Sequence, residues 1–115
     1  MSSLSSENCV EMTSGAKLCP TDEAKCYKSE IPDWHIIFDG MEKLERTFEF
    51  DSFAEALEFT NKIGDEAENQ GHHPRLITEW GKTTVTWWTH FLGGLHKNDF
   101  IMAARTDSRA EKKSC

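Results

Sequence analysis

With 115 residues, of which 37% are apolar and 29% charged, the chain is sized for one globular domain with its own core and leaves little room for a second. A net charge of −7 excludes a general nucleic-acid binder, because phosphate contacts require clustered Lys and Arg. The absence of an apolar run long enough for a membrane span or secretion signal predicts the cytoplasm, and the cysteines Cys9, Cys19, Cys26 and Cys115, with no C-x-x-C pair, predict free thiols rather than a zinc knuckle.

Residues 1–20 are polar and aperiodic, which predicts a flexible N-terminal arm outside the core. Thr21, after Pro20 and before Asp22-Glu23, opens a short helix to about Ser29, with Ala24, Tyr27 and Cys26 as its weak inner stripe. Ile31-Pro32-Asp33 breaks it. The alternation of Trp34, Ile36 and Phe38, the turn pair Asp39-Gly40 and the run Leu44 to Phe50 predict a hairpin. Leu44, Phe48 and Phe50 share one face of the return strand, and Glu45, Thr47 and Glu49 the other. Ser52-Phe53-Ala54-Glu55 is a capping-box pattern, and Phe53, Ala56, Leu57, Ile63 and Ala67, flanked by Phe59, predict an amphipathic helix ending at Gln70-Gly71. Leu76 to Trp80 and Thr83 to His90, joined by Gly81-Lys82, predict a second hairpin. Thr83, Val85 and Trp87 share one face of its return strand, and Thr84, Thr86, Trp88 and His90 the other. After the Gly93-Gly94 loop, a last helix from about Asn98 carries Phe100, Ile101 and Ala104 inward. The expected fold is α+β, a four-stranded antiparallel sheet with helices packed on one face, spanning residues 21–108, with 109–115 as a flexible tail.

Gly71-His72-His73-Pro74 sits at the junction between the long helix and the second hairpin. Glycine accepts the left-handed conformation that ends helices, and the residue before proline is pushed towards extended geometry. Such a junction fixes the backbone of both imidazoles and keeps their rings near the surface, a useful place for proton transfer. Two solvent-exposed loop histidines are the plainer alternative.

Gly71-His72-His73-Pro74, then Thr78 to Val85, then Thr89-His90, then Gly94-Leu95 through Asn98-Asp99, taken in that order, resemble the pterin-4a-carbinolamine dehydratase family. The likeness continues through Phe100 to Ala104 and back to Ile31-Pro32-Asp33-Trp34 and the helix before Glu68, and is nearest the bacterial branch. The resemblance implies a lyase that dehydrates 4a-hydroxytetrahydrobiopterin to quinonoid dihydrobiopterin and water, so recycling the pterin used by hydroxylases such as phenylalanine hydroxylase. It implies that His72, His73 and His90 are catalytic, that Asp99 and Glu68 support them, and that Trp34, Pro74 and Thr89 lie at the substrate. It further implies no cofactor beyond the pterin substrate, no metal, and a homodimer or homotetramer. Lys25-Cys26-Tyr27-Lys28 departs from the more aliphatic first helix of the family, and His96 falls at a variable site read as surface.

The chemistry fits that role. Loss of a hydroxyl from a carbinolamine needs one proton delivered to the departing oxygen and another taken from the adjacent ring nitrogen, which two imidazoles can do. Two rivals stand beside it. His72, His73, His90, Glu68 and Asp99 are all competent metal ligands, although helix-borne zinc sites more often space theirs three or four apart. A protein-binding regulatory or coactivator role on the same fold is the other.

Overall fold

Two hairpins meet at their second strands. In a computed structural model, described here over residues 4–13 and 15–111, β1 (His35–Phe38) returns as β2 (Glu42–Glu49) and β3 (Arg75–Glu79) as β4 (Lys82–Trp87). β2 pairs with β4, so the antiparallel order is β1-β2-β4-β3. The helices are α1 (Thr21–Lys28), α2 (Phe53–Gln70) and α3 (Lys97–Glu111). α2 and α3 pack on one face of the sheet and α1 packs against α3, which is the expected α+β arrangement.

Register explains the core. Leu44 opposes Trp87 and Phe48 opposes Thr83, so the period of two puts Leu44, Phe48, Val85 and Trp87 on the helix-covered face, where all four are buried. Phe59 of α2 rests on Phe48 and Phe50, with ring centroids 4.8 and 5.2 Å apart. Each such side chain removed from water contributes roughly 1.5–3 kcal/mol. At the sheet edge the pattern differs from expectation. Trp34 is buried just before β1, whereas Ile36 and Phe38, on the same face, are exposed, and Ile36 borders a cavity that it shares with α1.

α2 starts as its sequence predicts. Ser52 Oγ accepts from the Glu55 N–H at 3.1 Å, and Glu55 reaches back to the Asp51 N–H. Its buried stripe is rotated from the one predicted: Ala56, Phe59, Ile63 and Ala67 face inward, while Phe53 and Leu57 are exposed. Spacings of three and four select Phe59 and leave Leu57 a quarter-turn away from Ala56. Glu66 falls on the inner side too, and Arg105 and Arg109 of α3 bind its carboxylate at 3.0 and 2.7 Å. A buried carboxylate with two guanidinium partners clamps α2 to α3.

Both expected termini need correction. Residues 4–13 are not an arm apart from the core: Leu4 is 1% exposed among the core side chains, and Arg105 donates to the Glu7 carbonyl. Leu4, Val10 and Met12 sustain no helical or strand period among polar neighbours, which is why the segment reads as solvent-borne. At the other end α3 runs on to Glu111, held by the Arg109–Glu66 pair, so the helix passes the predicted boundary at 108. Residues 1–3, 14 and 112–115 of the two predicted tails lie outside the described residues. Cys9, Cys19 and Cys26 are free thiols.

The packing of Leu4 is testable by truncation. Leu4→Ala should lower the unfolding free energy by about 2–4 kcal/mol in urea denaturation, the usual cost of emptying a buried leucine site. A change below about 0.5 kcal/mol, the range of ordinary surface substitutions, would mean that the segment does not contribute to the core.

Candidate active site

Asp99, in the first turn of α3, has no exposed surface. Its Oδ2 accepts from Thr89 Oγ1 at 2.8 Å and from the His96 N–H at 2.9 Å, and its Oδ1 lies 2.6 Å from His72 Nε2. With two donors already on Oδ2, the carboxyl acts as an acceptor, so His72 Nε2 carries a proton and donates it to Oδ1. The imidazole also stacks on Trp87, 5.9 Å between centroids and 8° from parallel. Hydrogen bond and stacking together fix one tautomer and one ring plane, leaving Nδ1 for a ligand.

The junction geometry follows its sequence. Gly71 ends α2 with φ 67°, and its N–H donates to the Ala67 carbonyl at 2.9 Å. The chain then turns His72 inward and leaves His73 outside, where its Nε2 pairs with Glu68 Oε2 from the last turn of α2. That pair is largely in water, so it orients the ring more than it stabilises the fold.

β4 stops at Trp87, short of the predicted His90. A bridge between Thr89 and Gly94 closes a loop, and His90–Leu92 form a single 3-10 turn that ends at Gly93 with φ 73°. His90 therefore stands exposed on a loop instead of in the sheet.

His72, His73 and His90 line one cavity of about 520 Å³, together with Gly71, Thr89, Trp88, Phe91 and Met12. The two catalytic-pair candidates and the third histidine thus converge, and Thr89 joins them. Asp99 and Glu68 reach the cavity only through His72 and His73. Pro74, half-buried, is not among its walls. Trp34 lies in the core instead, its ring edge-on to Phe48 and its Nε1 donating to Asp107 at 2.8 Å, a carboxylate shared with Arg46. Burial pushes the Asp107 pKa up, against the pull of those two partners.

Two walls, Phe91 and Met12, escape the sequence reading of function, and a third, Trp88, is one of four tryptophans whose plainer role is core and whose alternative is a stacking wall for a flat heterocycle. Trp88 projects from the uncovered sheet face, with Lys43 Nζ 4.2 Å and the Arg75 guanidinium 5.3 Å from its ring. The alternation of Thr84, Thr86 and Trp88 had already placed it on that face. Phe91 and Met12 carried no periodic signal. A second cavity of similar volume, between α1, the β1–β2 hairpin and the Gly93-Gly94 loop, contains no histidine, and its ionisable walls are Cys19, Lys25, Lys28 and Glu42. Among the described residues, no three of His, Cys, Asp and Glu are grouped to hold a metal ion.

The site therefore defines a class: small α+β proteins that gather histidines on a shallow pocket at a helix-to-strand junction. The sequence model for pterin 4 alpha carbinolamine dehydratase matches residues 17–109, and the chain belongs to that family. Over 112 residues it is 51% identical to a protein of Syntrophotalea carbinolica named "Putative pterin-4-alpha-carbinolamine dehydratase", covering 96% of this chain and all of that one. A Chlorobium limicola protein of the same name is 51% identical over 107 residues, covering 92% of this chain and 95% of its own length. Among solved structures, the transcriptional coactivator/pterin dehydratase of Brucella melitensis superposes with a TM-score of 0.74 at 26% identity, over 82% of this chain and 99% of that one.

His96, expected at the surface, is half-buried behind the site, and its Nδ1 accepts the Asn98 N–H at 2.9 Å. Burial lowers its pKa from the ordinary 6.5, opposed by nearby Asp99. The unfolded chain therefore binds the proton more readily, so stability from this residue is full above pH 6.5 and is lost as pH falls through the lower folded value. His96→Asn should flatten the fall in urea midpoint between about pH 7 and 5. An unchanged slope would show that His96 does not titrate against the fold.

Proposed function

We propose that the chain is a metal-independent hydro-lyase that dehydrates 4a-hydroxytetrahydropterins to quinonoid dihydropterins. The supporting observation is the convergence of His72, His73 and His90 on one pocket in a chain of this family. In the reaction the bond from C4a to the hydroxyl oxygen breaks and the oxygen leaves as water with a donated proton. The N5–H bond breaks as well, and its electron pair completes the C4a=N5 double bond. Because Nε2–H of His72 is turned to Asp99, its Nδ1 lone pair suits the base that removes the N5 proton. His73, paired with Glu68, then supplies the proton to the hydroxyl, and His90 binds and polarises that hydroxyl. The product returns to the pterin pool of an aromatic amino-acid hydroxylase such as phenylalanine hydroxylase.

The reading includes assembly in the cytoplasm as a homodimer or homotetramer. The open sheet leaves β1 and β3 as edges, and β1 exposes Phe38 and Ile36, which gives pairing between copies a physical motive. The Brucella melitensis protein is named a transcriptional coactivator/pterin dehydratase, and a protein-binding function on this fold is the alternative here.

Activity is read by absorbance, with the 4a-hydroxytetrahydropterin generated by a hydroxylase and its slow dehydration in buffer as the control. Wild-type protein should accelerate the decay, and His72→Ala and His73→Ala should each lower kcat by about 10²–10⁴-fold, the usual worth of a positioned proton donor or acceptor. No acceleration by wild type, or losses below about threefold in both variants, would overturn the assignment.

A further inference from the structure

Resting on the dehydratase reading, we infer that the N-terminal segment is a built part of the substrate pocket and that Met12 is a substrate-contacting wall of it. The family's sequence model begins at residue 17, so this segment lies outside that model, while the Syntrophotalea relative aligns over 96% of the chain. Met12 nevertheless lines the same cavity as His72, His73 and His90.

The segment is held there by specific bonds. The Val10 N–H donates to Asn98 Oδ1 at 3.0 Å, and Asn98 Nδ2 donates back to the Val10 carbonyl at 2.8 Å, a two-way amide clasp by a side chain that is 1% exposed. The Cys9 N–H donates to Gln70 Oε1 at 2.7 Å. Asn98 immediately precedes Asp99, and Gln70 lies two residues before His72. The two elements that set the His72–Asp99 pair therefore also set the segment carrying Met12, and the registers of the two walls are tied together.

The chemistry of the wall indicates its ligand. A thioether on a flexible, unbranched stem packs well against the face or edge of a flat ring and makes no hydrogen bond that would compete with the histidines. The other apolar walls, Trp88 and Phe91, are aromatic. Such a pocket takes a planar heterocycle, its polar edge to the imidazoles and its faces to the apolar walls. Met12 should thus contribute to binding of the ring and not to the proton transfers.

Steady-state dehydration kinetics separate these roles. Met12→Ala should raise KM about five- to tenfold with kcat within about twofold, the signature of lost uniform binding, and Met12→Leu should recover most of the affinity. In parallel, protein carrying ¹³C-labelled methionine methyls is titrated with 7,8-dihydrobiopterin. The Met12 methyl resonance, assigned by its loss in Met12→Leu, should shift saturably while those of Met41 in the β1–β2 turn and of buried Met102 stay put. KM and kcat both within twofold of wild type in Met12→Ala, or a saturable titration that leaves the Met12 resonance unmoved, would overturn the inference. Wild type without dehydratase activity but with the Met12 shift would instead contradict the proposed reaction and leave the wall in place.

Discussion

The hydrogen bond between buried Asp99 and His72 is the constraint on which the site depends. A carboxylate without exposed surface is costly unless its oxygens are occupied, and here Thr89, the His96 N–H and His72 occupy them. Those donors come from the loop after β4, the approach to α3 and the junction after α2. Thr89 and His96 flank the short loop that the Thr89–Gly94 bridge closes, whereas His72 lies 27 residues before Asp99, so one buried carboxyl ties that loop and the start of α3 to the junction after α2.

The rest of the architecture presents that tie at the surface. The two hairpins join at β2 and β4, and α2 and α3 cross the covered face, clamped to each other by Glu66 with Arg105 and Arg109. This brings the C-terminal end of α2 beside the N-terminal end of α3. His72 and Asp99 stand at those two ends. His73 and His90 remain on the wet side, so of the three imidazoles that line the pocket one is held rigidly in a dry setting and two also meet solvent. Such a division suits a reaction that moves protons between a flat molecule and water.

Much of this was legible in the sequence because local physics decides it. Gly71 before His72-His73-Pro74 marks the junction, and the structure realises it with a left-handed glycine cap. Alternation in the strands assigned Leu44, Phe48, Val85 and Trp87 to one face, and they are the core. What was missed depends on tertiary contact. Apolar spacing alone draws the stripe of α2 through Leu57 and does not show that charged Glu66 is buried by two arginines. Residues 4–13 look like a tail since their attachment runs through backbone amides to Asn98 and Gln70, and such bonds leave no periodicity. β-rich residues run up to His90 and predict a strand there, yet β4 ends at Trp87 and the Thr89–Gly94 bridge closes a loop instead. Trp34, expected from family likeness at the substrate, is claimed by Asp107 and the core.

The tautomer of His72 is the most direct measurement of the central constraint. In a long-range ¹H–¹⁵N correlation spectrum of the ligand-free protein at neutral pH, Nε2 of His72 should appear as the protonated nitrogen and Nδ1 as the bare one, with Asp99→Asn disturbing that signature while the protein stays folded. A His72 ring protonated at Nδ1 alone, or one whose spectrum is indifferent to Asp99→Asn, would contradict the account.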